Sequence, residues 1–276
     1  MRWAALSLSA IAAFAVFYAP GMEAGAQDAS AWDKEPYAAA RLIAGSIIMT
    51  DDATLLRAGV EIRLDPGWHT YWRDPGDSGV PPTFDFTGSE NVKSVTVLWP
   101  APERFPDGAG GHSIGYTRSV IFPFRVVPVD EVRGSLLHLK LAYAVCEKLC
   151  VPADATLEVT LPAKIGVNER ALITAEERVP RRVLIGTASG LAIRSARREL
   201  SDGRVVVDVT APDGVPVDLF AEGPTPDWSL PLPKLIDSGS GTRRFVFDLE
   251  AHADGAPLTF TVVSPGDAIE VVTPVE

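Results

Sequence analysis

Two cysteines, Cys146 and Cys150, are the residues of this sequence best suited to chemistry. They stand in the run Tyr143-Ala144-Val145-Cys146-Glu147-Lys148-Leu149-Cys150-Val151-Pro152. In one straight strand, cysteines four apart have Cα atoms about 13 Å apart. A disulfide needs roughly 4.4–6.8 Å. To bond, the chain must therefore reverse or coil between them. A period-2 segment precedes Cys146, and another begins near Ala155. The simplest solution sets both sulfurs at the end of an antiparallel pair. A helical turn also brings them within reach, near the limit.

Such a bridge is a poor staple. Closing a five-residue loop restricts the unfolded chain by only about 2 kcal/mol, against about 4.7 kcal/mol for a 100-residue loop. A chain of this length builds a core without it. Tight loops are prone to strain, and strained, exposed bridges are the labile ones. Lys148, between the cysteines, favours a thiolate, and Glu147 opposes it. On spacing alone, thiol–disulfide exchange and a structural bridge both stay open. A metal site is less favoured, because two thiolates need further ligands and the chain has only His69, His112, His138 and His252. Copper(I), which accepts thiolates at low coordination, stays open.

The elements that must position the pair read as strands. Leu56, Ala58, Val60, Ile62 and Leu64 share one face, and Val95 and Val97 alternate. Ser119 to Val127 is apolar and β-branched. Leu137, Leu139, Leu141, Tyr143 and Val145 alternate against His138 and Lys140, and Leu157, Val159 and Leu161 against Glu158 and Thr160. Short strands separated by turn residues indicate an all-β sandwich or barrel. The one convincing helix runs from Asn168, a candidate cap, to Arg178, before Pro180. Alternation resumes at Val205, Val207 and Val209, at Phe245 and Phe247, and at Leu258, Phe260 and Val262. The segment Gly223 to Pro233 reads as a structured loop. This predicts a cysteine-bearing domain over 27–165, a helical linker over 166–188 and a second β domain over 189–276.

Residues 1–26 read as a secretory signal peptide. Arg2 precedes an apolar run from Ala4 to Ala19, and Ala24-Gly25-Ala26 supplies small residues for cleavage. The run is short for a membrane anchor, which takes about 20 apolar residues. No later segment is long and apolar enough to span a bilayer. The expectation is an exported, soluble chain in an oxidising compartment, where a nearby cysteine pair forms a disulfide. The formal net charge is -11. An acidic chain gains nothing from counterion release, which argues against nucleic acid as a partner.

Other candidates read plainly. Trp68 and Trp72 suit sandwich packing. His69 has the type of a base or copper ligand, but an exposed strand histidine is the default. Asp74, Asp77 and Glu90 read as loop carboxylates. Ser113, in Gly-His-Ser-Ile-Gly, lacks the strand-to-helix setting of a nucleophile elbow. No glycine-rich phosphate loop precedes a helix.

Residues 35–162 carry an ordered set of further motifs. These are Asp65-Pro66-Gly67-Trp68-His69-Thr70-Tyr71-Trp72-Arg73-Asp74-Pro75-Gly76-Asp77, then Phe84-Asp85-Phe86 and Trp99-Pro100-Ala101-Pro102-Glu103-Arg104-Phe105. Gly115-Tyr116, Phe122-Pro123 and Tyr143-x-x-Cys146-x-x-x-Cys150-x-Pro152 follow. In this set the chain resembles the periplasmic N-terminal domain of the DsbD thiol:disulfide interchange proteins, and most closely the ScsB branch, which is linked to copper tolerance. The segment Leu219-Phe220-x-Glu222-Gly223-Pro224 is similar to the rest of the ScsB-type periplasmic region.

The resemblance implies an immunoglobulin-like sandwich, here two in tandem joined by a short helix. It implies that Cys146 and Cys150 exchange electrons with thioredoxin-like partners in the periplasm, without a bound cofactor. It places His69 and Tyr71 beside the pair and makes Gly110 to Tyr116, with His112, Ile114 and Tyr116, a cap over it. The sequence departs from the family in two ways. Its cysteines are closer together than the better-known DsbD pair, and its cap segment has no counterpart of the family's shielding aromatic. The relatives continue into membrane helices and a thioredoxin-like domain that this sequence lacks, so electrons are expected to come from a separate protein. The alternatives are a copper-binding or copper-tolerance protein and a non-catalytic sandwich with a structural disulfide.

Overall fold

The computed structural model describes residues 28–275, except 52, 109, 200–202, 226–227, 240 and 250–254. The expected signal peptide lies outside the described residues. The first half holds β1 (Asp33–Glu35), β2 (Ala38–Met49), β3 (Thr54–Leu64), β4 (Thr70–Gly76), β5 (Thr83–Asp85), β6 (Val92–Val97), β7 (Glu103–Pro106), β8 (His112–Tyr116), β9 (Val120–Pro128), β10 (Ser135–Cys146) and β11 (Cys150–Leu161). Helix α1 (Glu169–Glu177) follows. Then come β12 (Arg181–Arg182), β13 (Ala192–Arg198), β14 (Arg204–Thr210), β15 (Asp218–Glu222), β16 (Lys234–Gly239), β17 (Thr242–Asp248), β18 (Pro257–Ser264) and β19 (Asp267–Pro274).

Strand order explains how the pair is held. A five-stranded sheet β1-β2-β3-β9-β6 packs on a three-stranded sheet β11-β10-β5. Alternation decides which residues meet in between. Leu137, Leu139, Leu141, Tyr143 and Val145 of β10 are buried, as are Ala153, Ala155, Leu157, Val159 and Leu161 of β11. They share one core with Leu42, Val60, Phe122 and Phe124 of the facing sheet. A one-residue slip would turn each set outward, so burial fixes the register. A small sheet, β4-β8-β7, closes one end.

Helix α1 lies on the five-stranded sheet and is no free tether. Leu172 and Ala175 are buried. Arg57 of β3 binds Glu176 at 2.7 Å and also Glu169, and Arg125 of β9 binds Glu176 as well. Burial alone would raise the Glu176 carboxyl, but Arg125 and Arg57 outweigh it and hold it below its ordinary value. Asn168 is the N-cap residue of α1, as expected. Its side chain makes no capping bond; its Nδ2 instead donates to the Asp28 carbonyl at 2.7 Å.

The second half repeats the sandwich principle. Sheet β12-β19-β18-β15 packs on β13-β14-β17-β16, with Val205, Val207, Phe245, Phe247, Phe260 and Val271 among the buried residues between them. Phe220 of β15 is an exception. It is buried in the core of the first sandwich, 5.7 Å from Trp72 between ring centroids. The two sandwiches therefore share apolar packing across their boundary.

Candidate redox site

Strands β10 and β11 form a hairpin that pairs continuously from Ser135 with Leu161 to Cys146 with Cys150. The cysteines thus face each other at its last rung, with Glu147-Lys148-Leu149 as the loop. Their Cα atoms are 4.2 Å apart and the sulfurs are bonded at 2.07 Å. Of the two local geometries open to the sequence, the chain adopts the antiparallel one. The alternation that buries Leu137 to Val145 carries a strand up to Cys146 and leaves no helical turn.

The two sulfurs sit in different surroundings. Cys146 is buried at 3% exposure in a small cluster with Tyr71 and Ala144, whereas Cys150 is exposed. The backbone of Cys146 is pinned to His69 by two reciprocal hydrogen bonds of 2.9 Å. Next along, Thr70 donates its hydroxyl to the Ala144 carbonyl at 2.9 Å. These bonds dock the start of β4 onto the hairpin end and aim Tyr71 at the bridge. The Tyr71 hydroxyl lies 2.8 Å from Cys146 Sγ and 3.2 Å from Cys150 Sγ. Burial, with Asp107 adding to it, raises the Tyr71 phenol above its ordinary value, so the group stays a protonated donor at neutral pH. Burial also lowers the His69 imidazole, which favours its neutral form.

Two glycines make this approach possible. A Cβ on Gly115 would lie 2.0 Å from the Thr70 carbonyl oxygen, so only glycine lets β8 run this close to β4. Gly79, at φ 128°, lies against the Tyr71 ring; a Cβ there would come within 2.2 Å of Cε1. Ser78, beside it, is hydrogen-bonded to Ser113 and Asp107. Two carboxylates serve the same junction: Asp77, in the turn after β4, accepts from the His112 amide at 2.9 Å, and Asp74, expected in a loop but placed within β4, accepts from the Gly76 amide at 3.1 Å.

The segment expected to cap the pair forms a strand over most of its length. Residues 112–116 are strand β8 rather than a loop, and Ile114 and Tyr116 are buried in the main core. Tyr116 donates its hydroxyl to the Pro100 carbonyl at 2.9 Å. His112 is exposed, as is Lys148 in the hairpin loop. Phe105 of β7 brings an aromatic ring to the neighbourhood of the pair, 4.6 Å from the ring of His69. His69 in turn meets the Tyr71 ring edge-on at 5.5 Å. Sequence reasoning did not single out Phe105. Its signal was the run Trp99 to Phe105, quoted only as a motif. Trp72 is fully buried, as sandwich packing requires, and half-buried Trp68 stacks on Tyr37 at 3.8 Å. Among the described residues no group of three or more His, Cys, Asp or Glu is placed to hold a metal ion.

The class that fold and site define is an all-β sandwich protein with a disulfide at the end of a hairpin, one sulfur buried and one exposed. Residues 40–162 match the family described as thiol:disulfide interchange protein DsbD, N-terminal, and are a DsbD-type N-terminal domain. The fold is similar to that in the crystal structure of the N-terminal periplasmic domain of ScsB from Proteus mirabilis, with a TM-score of 0.71 and 24% identity. The likeness covers 90% of this chain and 98% of that one, so it takes in both sandwiches. No curated protein matches the chain.

Because the bridge closes so short a loop, the double substitution Cys146→Ala/Cys150→Ala is expected to cost about 2 kcal/mol or less. Urea denaturation of the oxidised wild type, with the bridge intact, and of the double variant checks this. A variant that cannot fold would make the bridge a structural staple.

Proposed function

We infer that this chain is a soluble periplasmic thiol:disulfide interchange protein that passes reducing equivalents between thioredoxin-like partners through Cys146 and Cys150. The observation that carries this reading is the asymmetry of the pair: Cys150 is open to an incoming thiolate, and Cys146 is buried under the Tyr71 hydroxyl. The family match over residues 40–162 supports it. Among the described residues no helix is long and apolar enough to cross a membrane.

The chemistry follows from where the sulfurs sit. A partner thiolate attacks Cys150 Sγ. A partner–Cys150 disulfide forms, the Cys146–Cys150 bond breaks, and its electron pair leaves on Cys146. Tyr71 donates a hydrogen bond to the departing thiolate, which improves it as a leaving group. The partner's second thiolate then attacks its own sulfur in the mixed disulfide and expels Cys150 as a thiolate. The partner leaves oxidised and this chain is reduced by two electrons. The reverse sequence hands them to the next protein. An apolar groove of about 380 Å³ beside Cys150, lined by Val80, Pro81, Ala142, Pro152 and Ala153, gives a partner's backbone a seat.

Equilibration with glutathione tests the reading. Exchange requires a reduction potential above about −300 mV, the level below which structural bridges fall. A lower potential, together with no mixed disulfide to any thioredoxin-like protein, would leave the bridge structural.

A further inference from the structure

Sheet β4-β8-β7 faces two ways. On β4, Tyr71 meets the sulfurs, and two residues later Arg73 reaches into the second sandwich. Its guanidinium forks onto Glu222 of β15, with Nε and Nη2 each 2.7 Å from a carboxylate oxygen. Nη2 also donates to Glu270 of β19 at 2.6 Å. The other Glu270 oxygen accepts from Arg182 at 2.9 Å. On β7, Phe105 packs on His69, and its neighbour Arg104 points the other way. Arg104 binds Asp218 at 3.0 Å and the carbonyls of Leu219 at 2.9 Å and Pro233 at 3.1 Å. Each outer strand of the small sheet thus carries an aromatic residue to the redox site and an arginine to the second sandwich.

The ladder alone does not hold β4. It pairs with β8 at Thr70, Tyr71 and Gly76, and the register breaks between Tyr71 and Gly76. Residues 72–75 lie in that break. What fixes them comes from the other sandwich: Trp72 packs against Phe220, and Arg73 lies over the Trp72 ring at 4.3 Å while bound to two carboxylates. A two-pronged guanidinium–carboxylate contact sets orientation as well as distance. A half-buried pair of this kind adds more to register than to stability.

We propose that the second sandwich is a positioning part of the redox site: by gripping Arg73 and Arg104 it fixes strands β4 and β7, and so sets Tyr71 against the Cys146–Cys150 bridge and Phe105 against His69. The proposal rests on the exchange reading given above. Arg73 touches neither sulfur; it is a positioning residue that acts through Tyr71.

The test uses the full chain, reduced, and reads the pH midpoint of thiol alkylation by iodoacetamide. The midpoint reports the thiolate whether or not any partner exchanges with it, so a failed exchange reading and a failed positioning reading are told apart. Removing the phenol in Tyr71→Phe is expected to raise the midpoint by about one pH unit, since a hydrogen-bond donor to the thiolate is lost. Arg73→Gln should move it in the same direction. The double variant Arg73→Gln/Tyr71→Phe should match Tyr71→Phe alone, because Arg73 works through the phenol. Glu222→Gln separates positioning from a plain field effect. Losing a negative charge would by itself lower the midpoint, whereas loosening Arg73 raises it. It also serves if Arg73→Gln fails to fold. An unmoved or lowered midpoint in Glu222→Gln, or additive shifts in the double variant, would overturn the proposal.

Discussion

With the disulfide absent, Cys150 in the Cys146→Ser variant is expected to alkylate about a hundredfold faster than Cys146 in Cys150→Ser, the slowing that a local opening of about 3 kcal/mol imposes. Cys150 needs no opening, since it is already exposed in the last rung of the hairpin. Cys146 is 3% exposed, pinned to His69 through both its amide and its carbonyl, and covered by Tyr71. A reagent reaches it only when the end of β10 parts from β4. Iodoacetamide rates at one pH, followed by mass spectrometry, measure the ratio. The same asymmetry predicts that Cys146→Ser accumulates mixed disulfides with thioredoxin-like proteins and Cys150→Ser does not. Comparable rates in the two variants would remove the order of attack proposed above.

Phe220→Ala is expected to be the most destabilising single change outside the cysteine site, at about 3–5 kcal/mol. That is a large share of the 5–15 kcal/mol by which domains are typically stable. The ring belongs to β15 of the second sandwich, but it is buried in the core of the first, against Trp72, with Arg104 5.6 Å from its centroid. Truncation leaves a cavity lined by a rigid indole and two strands with little freedom to collapse. Both sandwiches should weaken together. Guanidinium melts followed by tryptophan fluorescence, which sums Trp32, Trp68, Trp72 and Trp99 of the first half and Trp228 of the second, check this. A loss below about 1 kcal/mol, or a fluorescence transition that stays at the wild-type midpoint, would mean the boundary is loose.

Much of the site's frame was legible in order. The cysteine spacing demanded a reversal or a coil, and the alternation on either side named the two strands that make the reversal. The helix before Pro180 was legible from its end signals, the cap candidate Asn168 and the proline beyond it. By contrast, β2, one of the longest strands, was not singled out. Leu42, Ile43 and Ala44 are buried in succession, so the strand lacks the polar alternation that marks a half-exposed one. The strand within the expected cap segment was missed for a related reason. A glycine-rich segment reads as a loop, but Gly115 is there because β8 must pass close to Thr70.

What the sequence determined by itself was local: an all-β pattern, a cysteine pair that can bond only where the chain reverses or coils, and a bridge too short to be needed as a staple. What the tertiary structure decided was every relation between residues far apart in the chain. Exposure of Cys150 and burial of Cys146 depend on β4 crossing the hairpin end, 75 residues away in sequence from Cys146 at Tyr71. The contacts of Arg73 with Glu222 and of Phe220 with Trp72 join the two sandwiches across about half the chain. Periodicity reports which face of a strand is buried, but it carries no record of what lies against that face. Only the packing of one sheet on another selects the partner.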